Sequence, residues 1–209
     1  MRNLQTEILS IDDPNAIPLA MAALEADKLI VFPTDTLYGL AGQINEICLQ
    51  KIYAAKQRPE EKAIPVLVGS LEQLDQLASM VKSEAFALMH TYWPGPLTLV
   101  LPKKEGLPPS LSPYPGLAVR MPDHPFSLSL LQQCGALAVT SANISGGPNP
   151  TTAEDVYAQL KVRVALILDG GKHPGGQAST IVDCQSQEPL LLRKGPIPFE
   201  DILNIWRRA

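Results

Sequence analysis

The 209-residue sequence has few of the features that mark several common protein classes. Its three cysteines are scattered and form no C-x-x-C pair, so neither a disulfide framework nor a zinc site is predicted. Aromatic residues make up only 5%, which argues against a surface that stacks successive bases. The N-terminus has no apolar signal core, and no apolar run approaches the ~20 residues of a membrane span. The sequence therefore predicts a cytoplasmic globular protein.

The common phosphate-binding signatures are also absent. The chain contains neither a G-x-x-x-x-G-K-[ST] loop nor a G-x-G-x-x-G fingerprint. Its net charge of −4 argues against a general nucleic-acid-binding surface, which is more often basic. A site for an anion would therefore have to be a local concentration of basic side chains.

Short apolar segments alternate with helical patterns along most of the chain. Strands are predicted at 29–32, 64–68, 96–101, 117–121, 137–140, 164–168, 180–184 and 190–193. This alternation predicts an α/β fold, and the short connections between the last strands predict some antiparallel pairing. Capping boxes starting at Ser70 and Thr152 predict the beginnings of two helices. No domain boundary is visible, so residues 1–209 are predicted to form one domain.

Three basic or polar clusters, far apart in sequence, each follow a predicted helix or strand. They are residues 56–62, with Lys56, Arg58 and Lys62; residues 141–145, with Ser141 and Asn143; and residues 193–195, with Arg193. Arginine offers a planar fork for phosphate oxygens, and lysine a compact charge. Cations also suit a helix C-terminus, and Ser and Asn also form ordinary turns. Each cluster alone therefore leaves both interpretations open.

Two further features bear on a site. Thr34 and Asp35 follow directly after a predicted strand, where open α/β sheets bind ligands, although the segment could be a turn that bonds its own backbone. Arg120 lies inside an apolar strand and needs a partner, because an unpaired buried charge is costly. A substrate carboxylate or phosphate would serve, as would an internal acid such as Asp35.

Together, these segments resemble the threonylcarbamoyl-AMP synthase family, the YrdC-like proteins of tRNA modification. The resemblance covers nearly the whole chain in order. The matching stretches are FPTDTLYGL (32–40), AAKQRPEEKAIPVLV (54–68), WPGPLTLVL (93–101), LAVRMPDHP (117–125), LAVTSANISGGPNPTT (137–152), LILDGG (166–171), STIVDC (179–184) and LLRKGPI (191–197). The paired K-x-R and S-x-N motifs, at 56–58 and 141–143, are specific in that context. The intact S-x-N motif argues against a sister subgroup of uncertain activity.

The resemblance implies a YrdC-like fold, a twisted open mixed β-sheet with flanking helices and a large concave cavity with a basic wall. It implies synthesis of L-threonylcarbamoyl-AMP and pyrophosphate from L-threonine, bicarbonate (or CO2) and ATP. The product would feed threonylcarbamoyladenosine formation at tRNA position 37, through downstream threonylcarbamoyl-transferase proteins. Mg2+ is expected to be bound through ATP. Some relatives carry a second, C-terminal domain, and this chain is expected to be the short form.

The resemblance also implies roles for particular residues. Expected to contact ATP are Lys56, Arg58, Lys62, Ser141, Asn143, Thr152 (or Thr151) and Arg193. Expected to hold threonine are Thr34, Arg120, Thr140 and Ser179. Lys56 and Arg58 are the predicted catalytic residues, because nucleotidyl transfer depends chiefly on positioning and charge neutralisation. Leu67 receives no role.

Two loops, 102–115 and 170–177, are candidates for closing over the intermediate. The alternative function is that of a non-enzymatic module that binds double-stranded RNA or tRNA, with an affinity that falls steeply with salt. Weak RNA contact could also coexist with catalysis. Relatives in hydrogenase maturation use carbamoyl phosphate, but they carry acylphosphatase and zinc-finger modules that this sequence lacks.

Overall fold

The computed structural model describes residues 5–172 and 177–209. Its strands are β1 Glu7–Ser10, β2 Ile30–Phe32, β3 Gly39–Gly42, β4 Val66–Leu67, β5 Leu97–Pro102, β6 Gly116–Arg120, β7 Leu137–Ser141, β8 Leu166–Asp169, β9 Thr180–Asp183 and β10 Leu190–Arg193. Its helices are α1 Ala16–Glu25, α2 Glu46–Lys56, α3 Ser83–Tyr92, α4 Pro125–Cys134, α5 Ala153–Leu160 and α6 Phe199–Trp206, with short 3₁₀ helices at Leu71–Gln76 and Pro109–Leu111.

In the described residues all ten strands belong to one mixed sheet, in the order β1-β8-β2-β3-β7-β4-β6-β5-β9-β10. Strand β8 runs parallel to both β1 and β2, β4 to β6, and β5 to β9. The other neighbouring pairs are antiparallel, including β9 with β10. The predicted mixed α/β sheet, with antiparallel pairing near the end of the chain, is confirmed.

One face of the sheet is covered by the larger hydrophobic core. Strand β5 shows how its alternating residues divide between the two faces. Leu97, Leu99 and Leu101 are fully buried in this core, together with residues of α2, α3, α5 and α6. The intervening Thr98 and Val100 point to the opposite face, where they line a cavity. The apolar face of the strand therefore packs against the helices, and the opposite face is available for a site.

The opposite face is covered over only part of its width. A second core joins α1 and α4 to strands β2, β7 and β8, through residues such as Leu24, Phe32, Leu131 and Leu168. Strands β6, β5 and β9 contribute no residue to this second core among those described. Their side chains on this face line an open cavity instead. The cavity exists because two helices cover one half of the face and not the other.

Several local predictions need correction. Ser70 occupies the N-cap position of the 3₁₀ helix Leu71–Gln76, but its side chain makes no capping hydrogen bond. Instead, Gln73 Oε1 accepts a hydrogen bond from the Gly69 N–H at 2.9 Å. Strands β1 and β3 were not predicted. The capping box of Thr152 and Asp155 is confirmed at the start of α5. Loop 102–115 contains the 3₁₀ helix Pro109–Leu111, and part of the second candidate closing loop, 173–176, lies outside the described residues.

None of the helices in residues 5–172 and 177–209 is both long and apolar enough to span a membrane.

The alternation of buried and cavity-lining residues along β5 leads to a prediction about stability. Leu99→Ala removes a fully buried side chain from the larger core, and should lower the free energy of unfolding by about 2–5 kcal/mol. Leu190→Ala is the matched control, because Leu190 lies on strand β10 with 60% of its surface exposed, and it should change stability by no more than about 0.5 kcal/mol. Urea denaturation followed by circular dichroism measures both. Equal losses for the two variants would contradict this assignment of the core.

Candidate active site

A cavity of about 780 Å³ opens on the uncovered half of the sheet. Its floor consists of alternate residues of three neighbouring strands: Thr98 and Val100 of β5, Gly116, Ala118 and Arg120 of β6, and Ile181 and Asp183 of β9, preceded by Ser179. Its walls come from the segment after β2, from the loop after α2 and from the ends of β7 and β10. Segments from opposite ends of the chain thus meet at one site.

Arg120 is buried at one end of this floor and has three protein partners. Its Nη2 donates to Asp35 Oδ1 in an ion pair, its Nη1 donates to Thr36 Oγ1 at 2.7 Å, and its Nε donates to the Gly95 carbonyl at 2.9 Å. Burial lowers the pKa of Arg120, and the Asp35 carboxylate partly offsets this effect. The internal acid expected from the sequence is therefore present. Arg120 also lines the cavity, so a substrate anion remains compatible with this pairing.

Arg193, at the end of β10, lies against the start of β9. Its Nε donates to the Ser179 carbonyl at 2.9 Å and its Nη2 donates to Ser179 Oγ at 3.0 Å. Ser179 Oγ also lies 2.7 Å from Thr98 Oγ1. Gly195 permits this close approach, because a Cβ there would lie 2.2 Å from the Thr180 nitrogen. Burial, followed by the nearby Arg120, lowers the pKa of Arg193. Two arginines thus face one end of the floor.

Thr34 combines the two roles that the sequence left open. Its hydroxyl donates to the Leu37 carbonyl at 2.6 Å, so the segment after β2 is a turn that bonds its own backbone. Thr34 is also buried and lines the cavity, as does Thr140 near the end of β7. The threonine-site prediction of Thr34, Arg120, Thr140 and Ser179 thus names four residues that the fold brings to one cavity.

Arg58 enters the cavity wall just beyond α2. The helix ends because Gln57 adopts a left-handed conformation with φ 52°, after which the chain turns. Arg58 Nη2 donates to the Ala63 carbonyl at 2.8 Å and Nε donates to the Lys62 carbonyl at 3.2 Å. Burial lowers the pKa of Arg58. Two backbone carbonyls thus hold the guanidinium in place, and its remaining N–H groups are available to a ligand.

Lys56 lies behind this wall and is almost completely buried, with 1% of its surface exposed. Its Nζ donates to the Ser141 carbonyl, to the Asn143 carbonyl at 2.6 Å and to Asn143 Oδ1 at 3.3 Å. Three oxygens therefore surround a group that carries three N–H donors when it is protonated. The Lys56 carbonyl also accepts from the Ser145 N–H at 2.8 Å. One residue thus joins the end of α2 to the loop after β7.

The loop after β7 contains the S-x-N motif. Ser141 lines the cavity, and its Oγ donates to Asn143 Oδ1 at 2.6 Å. The Asn143 amide donates to the Ile144 and Gly147 carbonyls at 2.9 and 2.8 Å. Asn143 is buried and supports the loop, while Ser141 faces the cavity. The motif is therefore arranged as one lining residue and one residue that holds its turn.

Two other predicted ATP contacts lie outside the lining of the cavity. Lys62 is exposed, on the loop that also holds Arg58. Thr152 caps α5 by accepting from the Asp155 N–H at 3.1 Å, and the Thr151 hydroxyl donates to Asp155 Oδ2 at 3.0 Å. All the predicted contacts with ATP, including those of the lining residues Arg58, Ser141 and Arg193, stay predictions.

Sequence reasoning missed several residues that line the cavity. They include Thr98, Ser112, Tyr114, Asn149, Asp183 and Gln185. Leu67, which received no role, also lines it. Thr98 and Asp183 could have been found from strand alternation, since each occupies the face opposite to a buried apolar neighbour. Tyr114 and Asn149 lie on irregular segments, where no periodicity signals a direction.

The chain is similar to known proteins over most of its length. A family model described as Sua5_yciO_yrdC, telomere recombination, matches residues 22–195. The threonylcarbamoyl-AMP synthase of Bacillus subtilis is 42% identical over 204 residues, covering 94% of this chain and 58% of that protein. A crystal structure of Pyrococcus abyssi Sua5 complexed with L-threonine has a TM-score of 0.88 at 37% identity, covering 96% of this chain and 60% of that one. Escherichia coli YciO has a TM-score of 0.84 at 25% identity, covering 95% and 99%.

The structure defines an α/β protein with an open mixed sheet and an arginine-lined cavity on one sheet face. Within that class, the chain belongs to the Sua5/YciO/YrdC family. It spans about three fifths of the length of its Bacillus subtilis relative and of Pyrococcus abyssi Sua5.

The buried position of Lys56 predicts a pH dependence of stability. Burial, followed by Arg58, lowers the pKa of Lys56 from 10.5 to about 7. Between these values the unfolded chain binds a proton that the folded chain does not, so Lys56 makes stability rise with pH. Relative to a Lys56→Met variant, the wild-type free energy of unfolding should increase by up to about 1.4 kcal/mol per pH unit between pH 8 and 9.

Urea denaturation of the wild type and of Lys56→Met across this range measures the difference. Lys51→Met, at an exposed position of the same helix, is the control and should show no such slope. A constant difference between the wild type and Lys56→Met would mean that the three surrounding oxygens keep the ammonium charged throughout.

Proposed function

We propose that this protein synthesises L-threonylcarbamoyl-AMP from L-threonine, bicarbonate or CO2, and ATP, with release of pyrophosphate. The observation that carries the proposal is one cavity lined by three arginines, Arg58, Arg120 and Arg193, and by the hydroxyls of Thr34 and Ser179. Supporting it, the Bacillus subtilis relative is named for this activity and the Pyrococcus abyssi relative was crystallised with L-threonine.

The end of the cavity around Arg120 suits an amino acid. Each terminal nitrogen of Arg120 uses one N–H on a protein partner, Thr36 or Asp35, which leaves one N–H on each. An amino-acid carboxylate accepts both in a bidentate contact. Thr34, Thr140 and Ser179 add hydroxyls that can face the amine and the side-chain hydroxyl of threonine. A site built on such polar groups disfavours an amino acid that lacks the matching hydroxyl.

The walls of the cavity suit a triphosphate. Arg58 and Arg193 approach it from different segments, and the backbone carbonyls of Ala63 and Ser179 hold their guanidinium groups in place. Ser141 adds a hydroxyl beside them. Fixed cations of this kind stabilise charge that develops on phosphate oxygens without having to reorganise during the reaction.

The reaction then needs positioning more than proton transfer. The threonine amine adds to CO2 with loss of a proton, or condenses with bicarbonate with loss of water, to form a carbamate. A carbamate oxygen then attacks the α-phosphorus of ATP. The bond to the bridging oxygen breaks and pyrophosphate leaves. Holding both substrates in one cavity makes this attack intramolecular in effect. Arg58 and Arg193 neutralise the departing pyrophosphate.

Magnesium enters this proposal as part of the MgATP substrate. The residues of 5–172 and 177–209 contain no group of three or more His, Cys, Asp or Glu side chains that could hold a metal ion. The predicted links to tRNA position 37, to downstream transferases and to RNA remain proposals.

The direct test measures pyrophosphate release by the purified protein with MgATP. Release should require both L-threonine and bicarbonate, and mass spectrometry should find an adenylate heavier than AMP by the threonylcarbamoyl group. Omitting threonine, or replacing it with valine, is the matched control, since valine has the same shape without the hydroxyl. Pyrophosphate release that is unaffected by omitting threonine would refute the proposal.

The proposed contact between Arg58 and the triphosphate leads to a second prediction. Arg58→Ala removes a charge-assisted contact of about 3 kcal/mol, so kcat/KM for ATP should fall by ~10²-fold or more. Arg207→Ala is the control, because Arg207 is exposed and pairs with the exposed Glu188 on the surface. Steady-state pyrophosphate release measures both variants, and thermal unfolding verifies that Arg58→Ala is folded. An unchanged kcat/KM in Arg58→Ala would remove this residue from the site.

A further inference from the structure

The floor of the cavity changes character along strand β9. Ser179 at one end contacts Arg193, Ile181 in the middle is apolar, and Asp183 at the other end is acidic. These alternate residues share one face of the strand. From Ser179 to Asp183 the strand covers about 13 Å, at about 3.3 Å per residue. The floor therefore has a basic end and an acidic end. On the neighbouring strands, Val100 and Ala118 lie level with Asp183, and Thr98 lies level with Ile181.

Asp183 is the only acidic side chain lining this cavity within the described ranges. Neither of the two ion pairs found there includes it. Its partner is Gln185: the backbone N–H donates to Asp183 Oδ1 at 2.9 Å, and Nε2 lies 3.0 Å from Oδ1 and 3.1 Å from Oδ2. A carboxylate with only amide donors beside it keeps its negative charge uncompensated by a cation.

Gln185 is itself held against the floor. A Cβ on Gly116 would lie 2.6 Å from Gln185 Nε2 and 2.6 Å from Val100 Cγ1, so glycine makes room for the amide. A carboxylate has about four acceptor positions, and the described contacts use three of them. Asp183 Oδ2 therefore has acceptor capacity left for a donor in the cavity.

The charge of Asp183 decides which part of a nucleotide can lie beside it. A carboxylate repels phosphate oxygens and accepts hydrogen bonds from amines and hydroxyls. Mg2+ is usually held by one or two carboxylates together with substrate phosphates, so Asp183 would contact the ion only if the phosphates lay beside it and not beside the arginines. The apolar strip formed by Val100, Ala118 and Ile181 suits the uncharged half of a nucleotide.

We infer that Asp183 accepts a hydrogen bond from the nucleoside half of ATP, and so orients the nucleotide with its phosphates toward the arginines. This inference rests on the proposed function. The donor is the exocyclic amine of adenine or a ribose hydroxyl, groups that share this hydrogen-bonding chemistry. Gln185 is a positioning residue, because it acts by holding the carboxylate.

Asp183→Asn tests the contact with little change in shape. The asparagine Oδ1 can still accept from the Gln185 backbone N–H, so the turn after β9 is preserved. The charge is lost, and Oδ2 is replaced by an amide NH2, which donates and cannot accept. The KM for ATP should rise by about 10-fold or more, the loss typical of a hydrogen bond to a charged group. The KM for L-threonine and the kcat should change by less than about threefold. Asp12→Asn, the same change at an exposed position outside the cavity, should alter none of these.

Three ATP analogues identify the donor. They are purine riboside triphosphate, which lacks the 6-amino group, 2′-deoxy-ATP and 3′-deoxy-ATP. For the analogue that lacks the relevant donor, Asp183→Asn and wild type should have the same KM, whereas the variant should be impaired with the other two. A coupling to any one of these groups supports the inference and assigns the contact.

Two outcomes overturn the inference. One is an unchanged KM for ATP in Asp183→Asn. The other is an equal loss with ATP and all three analogues, which would indicate a structural role only.

Thermal unfolding of the variant separates misfolding from a lost contact. Asp183→Glu, which keeps the charge, should recover part of the affinity. Calorimetric titration with ATP alone makes the result independent of turnover. A wild type that binds ATP but releases no threonine-dependent pyrophosphate would refute the proposed function and leave this inference standing.

Discussion

The buried amino group of Lys56 joins the two halves of the wall around this cavity. Lys56 Nζ contacts oxygens of Ser141 and Asn143, while its carbonyl accepts from Ser145. These contacts fix the end of helix α2 against the end of strand β7. Arg58 and Ser141, which lie next to these contacts in the sequence, therefore both line the cavity. Placing such a group inside a protein is costly unless oxygens surround it, which is the arrangement found here. The site depends on this contact because its basic and hydroxyl groups come from separate segments.

The strands beneath the cavity also combine a structural role with a role in the site. Each strand of the β6-β5-β9 region uses one face to bind helices and the other to line the cavity. Strand alternation therefore separates the residues that stabilise the fold from the residues that line the cavity, and residues next to each other in the sequence belong to different sets. The arginines at the basic end are held by backbone carbonyls or by an internal acid, so their directions are set before any substrate arrives. Such preorganisation is what charge stabilisation in catalysis requires.

Much of the fold was predictable, and the errors have physical causes. Strands such as β5 and β6 are apolar enough to be recognised locally. Strand β3 has the sequence GLAG, in which glycine disfavours a strand, and it forms because β2 and β7 pair with it on either side. Strand β1 is mostly exposed and lacks an apolar pattern, and its place depends on pairing with β8. Ser70 carried a capping signal, but tertiary contacts of Gln73 prevailed over it.

By itself, the sequence determined which residue types were available and the order of the elements that carry them, including Arg58, Ser141 and Arg193 in recognisable motifs. The tertiary structure alone decided which of them share a cavity. It placed Lys56 behind the wall and Arg58 within it, although they are two residues apart, because the helix ends at Gln57 with a left-handed turn. It also brought Tyr114 and Asn149, which lie on irregular segments without periodicity, into the lining of the cavity. The reason is that direction and proximity arise from pairing and packing between distant segments, and these are properties of the whole chain.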